Sequence, residues 1–238
     1  MPTDPDAGMR RAVVLLSGGL DSAVTLALAR AGGLECHCLS LDYGQRHRAE
    51  LDAARRVAQA LAARAHTVVP VDLRALGGSA LTADIAVPKD RPEHEVASGI
   101  PVTYVPARNM LLLSLGFAMA ETIGALEVHI GVNAIDYSGY PDCRPDFLAA
   151  FEEAGRLGTA AGARGRQIRI CAPLARLSKA QIVRAGSNLG LDFSLTLSCY
   201  DPAGDLACGR CDSCRIRRRG FAQAGVPDPT RYAAGASV

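Results

Sequence analysis

The chain has 238 residues, enough for one sizeable α/β core with a small appendage but not comfortably for two independent domains. Hydrophobic residues make up 49% and charged residues 21%, which excludes a mostly disordered chain. The formal net charge of +2 is too small for bulk charge to indicate nucleic acid, and no direct nucleic-acid contact is expected. Residues 1–11 hold Pro2, Asp4, Pro5, Asp6 and Gly8 without an apolar stretch, so no secretory signal is read there. No run reaches the roughly 18 to 20 apolar residues of a membrane span, and a cytoplasmic protein with no membrane partner is expected. In that setting eight cysteines read as reduced thiols, some of them metal ligands, rather than as four disulfides.

Residues 11–16 form an apolar run that stops at Ser17-Gly18-Gly19, after which 22–31 has the composition of a helix closed by Gly32-Gly33. The pattern is strand, glycine turn, helix. Residues 36–42 predict a second strand, 47–65 an Ala/Arg-rich helix and 67–71 a β-branched strand. Between 74 and 107 the periodicity fails, and Gly77, Gly78, Pro88, Pro92, Gly99, Pro101 and Pro106 punctuate an irregular segment of the length that usually forms a functional lid. An apolar helix is predicted over 109–122, a strand over 126–132, and a helix over 144–157 with Pro145 near its start. A last strand follows at 167–171, then a helix over 178–189 with Ser178 as N-cap. This alternation predicts an α/β fold, a parallel sheet with helices on both faces. From residue 194 the pattern turns short, cysteine-rich and basic, which divides the chain into a main domain, 1–193, and a C-terminal zinc-binding subdomain, 194–238.

Ser17-Gly18-Gly19-Leu20-Asp21-Ser22 follows a strand and opens a helix, so backbone N–H groups and the positive helix end converge on one point. Glycines admit an anion close to the backbone, and the Ser17 and Ser22 hydroxyls can donate to it. A carboxylate beside phosphate is repulsive without a cation between them, so Asp21 implies Mg²⁺ arriving with ATP. A plain tight turn with an Asp at the helix start is the alternative. The phosphate loop of kinases and GTPases is absent, the only lysines being Lys89 and Lys179. The string S-G-G-x-D-S resembles the PP-loop of ATP pyrophosphatases, a superfamily that splits ATP between its α and β phosphates. That resemblance implies a Rossmann-like, adenine nucleotide alpha hydrolase-like sheet. It also implies that Ser17, Gly18, Gly19, Asp21 and Ser22 hold pyrophosphate, within an ATP-binding segment that includes Leu16, Leu20, Ala23, Val24, Thr25 and Leu26. Lys179 sits in the first turn of the helix capped by Ser178, where positive charge is poorly placed, and an anion should compensate it. A phosphate would do so; a solvated lysine is the alternative.

Cys199, Cys208, Cys211 and Cys214 read C-x8-C-x2-C-x2-C; the last three are too closely spaced to pair easily as separate disulfides, and the four suit one tetrahedral, structural Zn²⁺ per chain. Spacing leaves an iron–sulfur cluster open. Cys36, Cys38 and Cys171 read as core residues. Arg215, Arg217, Arg218 and Arg219 read as a solvated helix face.

Three further strings pack polar groups at expected strand ends or helix starts: residues 42–47 (DYGQRH), 104–109 (YVPARN) and 136–145 (DYSGYPDCRP). With the PP-loop, Leu177-Ser178-Lys179 and the stretch from Ser198 through Cys214, they are similar to the 7-cyano-7-deazaguanine (preQ0) synthase family from near residue 12 to near residue 226. The resemblance implies a carbon–nitrogen ligase that converts 7-carboxy-7-deazaguanine, ammonia and ATP to the nitrile, in queuosine biosynthesis, through adenylated carboxylate and amide. It implies catalytic roles for Asp21, Lys179, Arg108 and Asp142, and substrate contacts from Arg108, Asn109, Asp136, Tyr137, Tyr140, Asp142 and Arg144. Arg108 or Arg144 would pair with a carboxylate or phosphate, Asp136 or Asp142 would accept from the guanine-like edge, and Arg46 and His47 would shape the loop near ATP. Surface ion pairs are the alternative for each. A homodimer is implied as well. A tRNA-thiolating relative would want a catalytic cysteine pair near the PP-loop, and none is evident in the sequence.

Overall fold

Arg11–Leu15 forms β1, an apolar strand whose last four residues are fully buried, and it is the centre of everything else. In the computed structural model, which describes residues 10–44, 49–92, 99–133 and 139–234, β1 pairs in parallel with β2 (Glu35–Asp42) on one side and β4 (Glu127–Ile130) on the other. β3 (Ala65–Pro70) adds outside β2 and β5 (Arg169–Cys171) outside β4, both parallel. The order β3-β2-β1-β4-β5 reverses direction of growth between β1 and β4, and open α/β sheets bind ligands beyond the carboxyl ends of the strands at that reversal.

Parallel strands need crossovers, and these are helical. α1 (Leu20–Ala31), α2 (Ala49–Ala60), α6 (Lys179–Asn188) and α7 (Asp212–Ala224) cover one face, burying Ala12, Val14, Cys36 and Cys38 against Val24, Val57, Ile182 and Phe221. α3 (Arg108–Ile123) and α4 (Pro145–Gly158) cover the other, packing Leu113, Phe117 and Leu148 on Val13, Leu15 and Val128. A one-turn α5 (Ala160–Ala163) follows α4. The predicted α/β sheet with helices on both faces is what forms. Among the described residues no helix is long and apolar enough to cross a membrane.

Local signals landed well. Pro145 opens α4, and Ser178 caps α6 with a full capping box, its hydroxyl accepting from the Gln181 amide while Gln181 Oε1 accepts from the Ser178 amide at 2.8 Å. The helix expected over 47–65 is shorter, because Ala62 takes a left-handed φ of 50° and the chain must re-enter the sheet at Ala65, opposite His37. Two expectations are corrected. The described parts of the irregular segment, 74–92 and 99–107, form a strap rather than a lid: Leu73, Ala80, Leu81, Val87 and Val105 pack with the cysteine region, and Asp90 donates its amide to the Arg210 carbonyl at 2.9 Å. Lys89–Asp201 (2.9 Å), Arg91–Asp212 (2.9 Å) and Arg210–Asp90 ion pairs complete the seam. The basic run on α7 is not simply solvated either. Arg217 is 2% exposed, donating to Thr196 Oγ1 (2.7 Å), the Phe193 carbonyl (3.2 Å) and Asp228 (3.1 Å), with its guanidinium 4.9 Å from the Phe221 ring centre. The residues from Ser194 onward thus share a core with the sheet.

Candidate active site

The turn after β1 is built from close approaches. Gly18 has φ +82°, and a Cβ there would lie 2.3 Å from the Glu50 carbonyl oxygen and 2.6 Å from the Ala54 amide, so only glycine lets the N-terminal part of α2 rest on the turn. Ser22 Oγ donates to the Gly19 carbonyl (3.0 Å) and accepts from the Ser17 amide (3.2 Å), and the Ser17 and Ser22 hydroxyls lie 3.1 Å apart. From the C-terminal region Ser198 Oγ accepts from the Leu20 amide at 3.2 Å and the Leu197 amide donates to the Gly18 carbonyl at 3.0 Å. Gly131, just beyond β4, presses on the Asp21 and Ser22 backbone, where a Cβ would be 2.9 Å away.

Lys179 meets its anion inside the protein. Its ammonium donates to both Asp21 oxygens at 2.7 Å while the residue is only 6% exposed, and Gly220 of α7 makes room for its stem. Asp21 and Lys179, read separately from sequence, are one ion pair at the head of α1.

This pair sits on a cavity of about 200 Å³ at the strand reversal. Its walls include Leu16, Ser17, Gly19, Leu20, Asp21 and Ser22 from the turn, Ile130 at the end of β4 with Gly131, Val132 and Asn133 beyond it, and Lys179. Arg108, Asn109, Tyr140 and Cys143 line it too, and Leu197, Ser198, Tyr200, Ser213 and Arg217 come from the C-terminal region. Ala23, Val24, Thr25 and Leu26 lie deeper in α1, buried against the core. Arg108 opens α3 behind Ala107, which takes a left-handed φ of 57° that a non-glycine residue adopts at a cost, and its guanidinium lies 5.8 Å from the Tyr43 ring centre. Tyr140 meets Thr103 at 2.9 Å and Tyr200 at 3.5 Å through its hydroxyl.

The predicted substrate residues separate. Arg108, Asn109 and Tyr140 reach the cavity; Arg144 is exposed at the start of α4 and does not line it; Asp136 and Tyr137, like Arg46 and His47, lie outside the described residues. Asp142 is buried behind the wall. One of its oxygens accepts from the Asn109 amide at 3.1 Å, and its carbonyl accepts from Asn109 Nδ2 at 3.2 Å, so it anchors the start of α3. Burial raises its pKa against the pull of the Asn109 amide and Arg108. Sequence reasoning missed Glu50. It lines the cavity, and burial pushes its carboxyl up to about 7 although Arg108 pulls the other way.

The four cysteines converge on one point, their Sγ atoms all within 4.8 Å of one another and Cys208 and Cys214 at 4.0 Å. Four thiolates about 2.3 Å from Zn²⁺ sit about 3.8 Å apart, so the cage fits that ion with no open position. Backbone amides of Cys208 (3.2 Å) and Cys211 (3.3 Å) donate to Cys199 and Cys208 sulfur, hydrogen bonds that favour thiolates. Hydrogen bonds from Cys199 and Cys214 pull the Cys211 thiol below its ordinary value. Cys36 and Cys38 are buried core residues as expected; Cys171 is only partly buried.

The family model described as "Queuosine biosynthesis protein QueC" matches residues 11–225, nearly the whole described chain. The chain belongs to the QueC family. Relatives named 7-cyano-7-deazaguanine synthase are similar throughout: one from Anaeromyxobacter dehalogenans is 66% identical over 225 residues, covering 94% of this chain and 96% of its own. Those of Myxococcus xanthus and Solidesulfovibrio magneticus are 59% and 60% identical, each covering 94% of this chain and 98% and 96% of their own. The matched span of the QueC model runs from β1 through the phosphate-type turn, the cavity wall and all four cysteines to the end of α7.

Proposed function

We propose that this QueC-family enzyme, a carbon–nitrogen ligase of queuosine biosynthesis, converts 7-carboxy-7-deazaguanine and ammonia to 7-cyano-7-deazaguanine while splitting ATP to AMP and pyrophosphate. A carboxylate resists an amine because its charge and resonance must first be removed. Transfer of AMP to its oxygen supplies a leaving group, ammonia then gives the amide, and adenylation of the amide oxygen lets that oxygen depart as well. One adenylating site serves both rounds.

The observation that carries this reading is that the turn at 17–22, Arg108 and the Asp21–Lys179 ion pair line one cavity. The turn amides and the Ser17 and Ser22 hydroxyls would hold the departing pyrophosphate. Asp21 is the residue that would hold Mg²⁺ entering with ATP, a cation that neutralises phosphate charge; Lys179, once released from Asp21, would do the same at shorter range. Arg108 is placed to take the substrate carboxylate in a charge-assisted pair, with Asn109 and Tyr140 beside it. Asp142 contributes by fixing Asn109 and the start of α3. Cys199, Cys208, Cys211 and Cys214 would hold one structural Zn²⁺ per chain, in a C-terminal subdomain over 194–238 that closes one wall of the cavity of the 1–193 domain. A cytoplasmic homodimer goes with the same reading.

The test is incubation of the protein with ATP, Mg²⁺, ammonia and 7-carboxy-7-deazaguanine. The expected products are AMP, pyrophosphate and a nitrile identified by mass; ADP in place of AMP contradicts the mechanism.

A further inference from the structure

The chemistry proposed above leaves one role without a residue: something must take protons from nitrogen, once as ammonia becomes amide and again as amide becomes nitrile. We propose that Glu50 is that proton acceptor, a catalytic base facing the adenylated carbon; the assignment rests on the reaction just described.

Glu50 lies in the first turn of α2, and its backbone is held against the phosphate-type turn by the contact that forces glycine at position 18. Its side chain lines the same cavity as Ser17, Asp21 and Arg108. Among the described residues lining that cavity the carboxylates are Asp21 and Glu50, and there is no histidine. Asp21 is engaged through both oxygens by Lys179. Asp142 lies behind the wall with one oxygen occupied by a backbone amide. The Cys143 thiol is pushed up to about 12 by burial, and burial likewise raises the hydroxyls of Tyr43 and Tyr140, so none of these offers a base near neutrality. Among the described residues no hydrogen bond holds the Glu50 carboxylate. The charged or titratable groups lining the cavity with it are Arg108 from α3, Tyr43 after β2, Tyr140 and Cys143 before α4, the Asp21–Lys179 pair, Tyr200, and Arg217 of α7, whose guanidinium is taken up by Asp228, Thr196 and the Phe193 carbonyl. With Arg108 alone drawing on it and burial opposing ionisation, the carboxyl titrates near pH 7, where a base is both available and strong enough to act.

Each step balances. Ammonia adds its lone pair to the acyl carbon of the acyl-adenylate; Glu50 takes one N–H proton from the adduct, and collapse breaks the C–O bond to AMP, which leaves with the electron pair. In the second round the amide oxygen bonds the α phosphorus of ATP as pyrophosphate leaves, giving C=NH2+; this loses one N–H proton to solvent, leaving an imidate with carbon doubly bonded to NH and singly to O–AMP. Glu50 takes that N–H proton, the freed pair forms the third C–N bond, and AMP again leaves with the C–O electrons. The proton on Glu50 passes to solvent between rounds.

The experiment compares wild type, Glu50→Gln and Glu50→Asp, each checked for a cooperative thermal transition. One assay is acid-dependent exchange of labelled pyrophosphate into ATP, which reports adenylation alone; the other is nitrile formation from the 7-carboxamide, which requires deprotonation. Glu50→Gln should lose on the order of 10²–10⁴-fold in nitrile formation, far more than it loses in exchange. Wild-type nitrile formation should rise through about pH 7 on its acid limb, a limb absent in Glu50→Gln and retained at reduced rate in Glu50→Asp. Equal losses in both assays, or a raised KM for the acid with the acid limb intact, would overturn the assignment and leave Glu50 a positioning residue for Arg108. Wild type failing to exchange pyrophosphate at all would instead sink the proposed reaction, and the two failures are therefore distinct.

Discussion

Replacing Arg217 by Met removes a guanidinium that is 2% exposed while leaving its partners in place: Asp228, whose side chain is 11% exposed, the Thr196 hydroxyl and the Phe193 carbonyl. Breaking a buried pair by deleting one partner costs about 3–5 kcal/mol, because the surviving charge stays desolvated. For a chain of this size that corresponds to a fall in Tm of about 6–20 °C, at about 2–4 °C per kcal/mol. Asp228 adds a pH signature. Burial alone would raise its pKa, but the Arg217 charge, the Tyr232 hydroxyl and the Thr230 amide outweigh burial and hold it below the ordinary carboxylate value. A depressed folded pKa contributes stability that is present above the unfolded value and lost as pH falls through the folded one. The gap between wild type and Arg217→Met should accordingly narrow in acid, and Arg217→Met combined with Asp228→Asn should recover part of the loss. Denaturant titrations of zinc-replete protein, from neutral pH down to the lowest pH at which metal analysis still finds the zinc bound, measure all three. A loss below about 1 kcal/mol at neutral pH would put Arg217 on a solvated face and refute the buried assignment.

Gly18→Ala should abolish ATP turnover, since its Cβ would strike the α2 backbone at 2.3 Å, whereas Gly33→Ala, with a similar positive φ and nothing within 4 Å, should cost only about 1–2 kcal/mol of stability and leave turnover alone. Steady-state AMP formation and melting curves separate the two. Lys179→Met should lower kcat for AMP release by about 10²–10³-fold, read with radiolabelled ATP; a loss under tenfold would remove Lys179 from phosphate chemistry. Cys214→Ser should drop bound zinc from one per chain toward none by metal analysis, and should also raise KM for ATP, because α7 carries Cys214 together with the cavity residues Ser213 and Arg217.

What could be read from the sequence was local, and what could not was held by distant contacts. The run at 11–16 reads as a strand because a central parallel strand is buried on both faces and shows no alternation, and glycines bound it. Ser178 and Gln181 satisfy each other within one helical turn, and the last three cysteines of the cage fall within seven residues, so both features are visible as spacing. Asp21 and Lys179 each announced an anion or cation site, but their pairing spans 158 residues and emerges only when α6 docks beside α1. Glu50 looks from its neighbours like one more polar residue on an amphipathic helix; its environment is set by Gly18, which draws α2 onto the turn, and by Arg108 arriving from α3. Arg217 sits among arginines, and what turns it inward is Asp228, beyond the end of its own helix. Residues 87–91 have no periodicity of their own because their partners, Asp201, Arg210, Cys211 and Asp212, lie more than a hundred positions away. The strap, the cysteine cage and α7 therefore form one unit, and since α7 reaches the cavity through Ser213 and Arg217, a metal held by the cage would set the position of a cavity wall without itself lining the cavity.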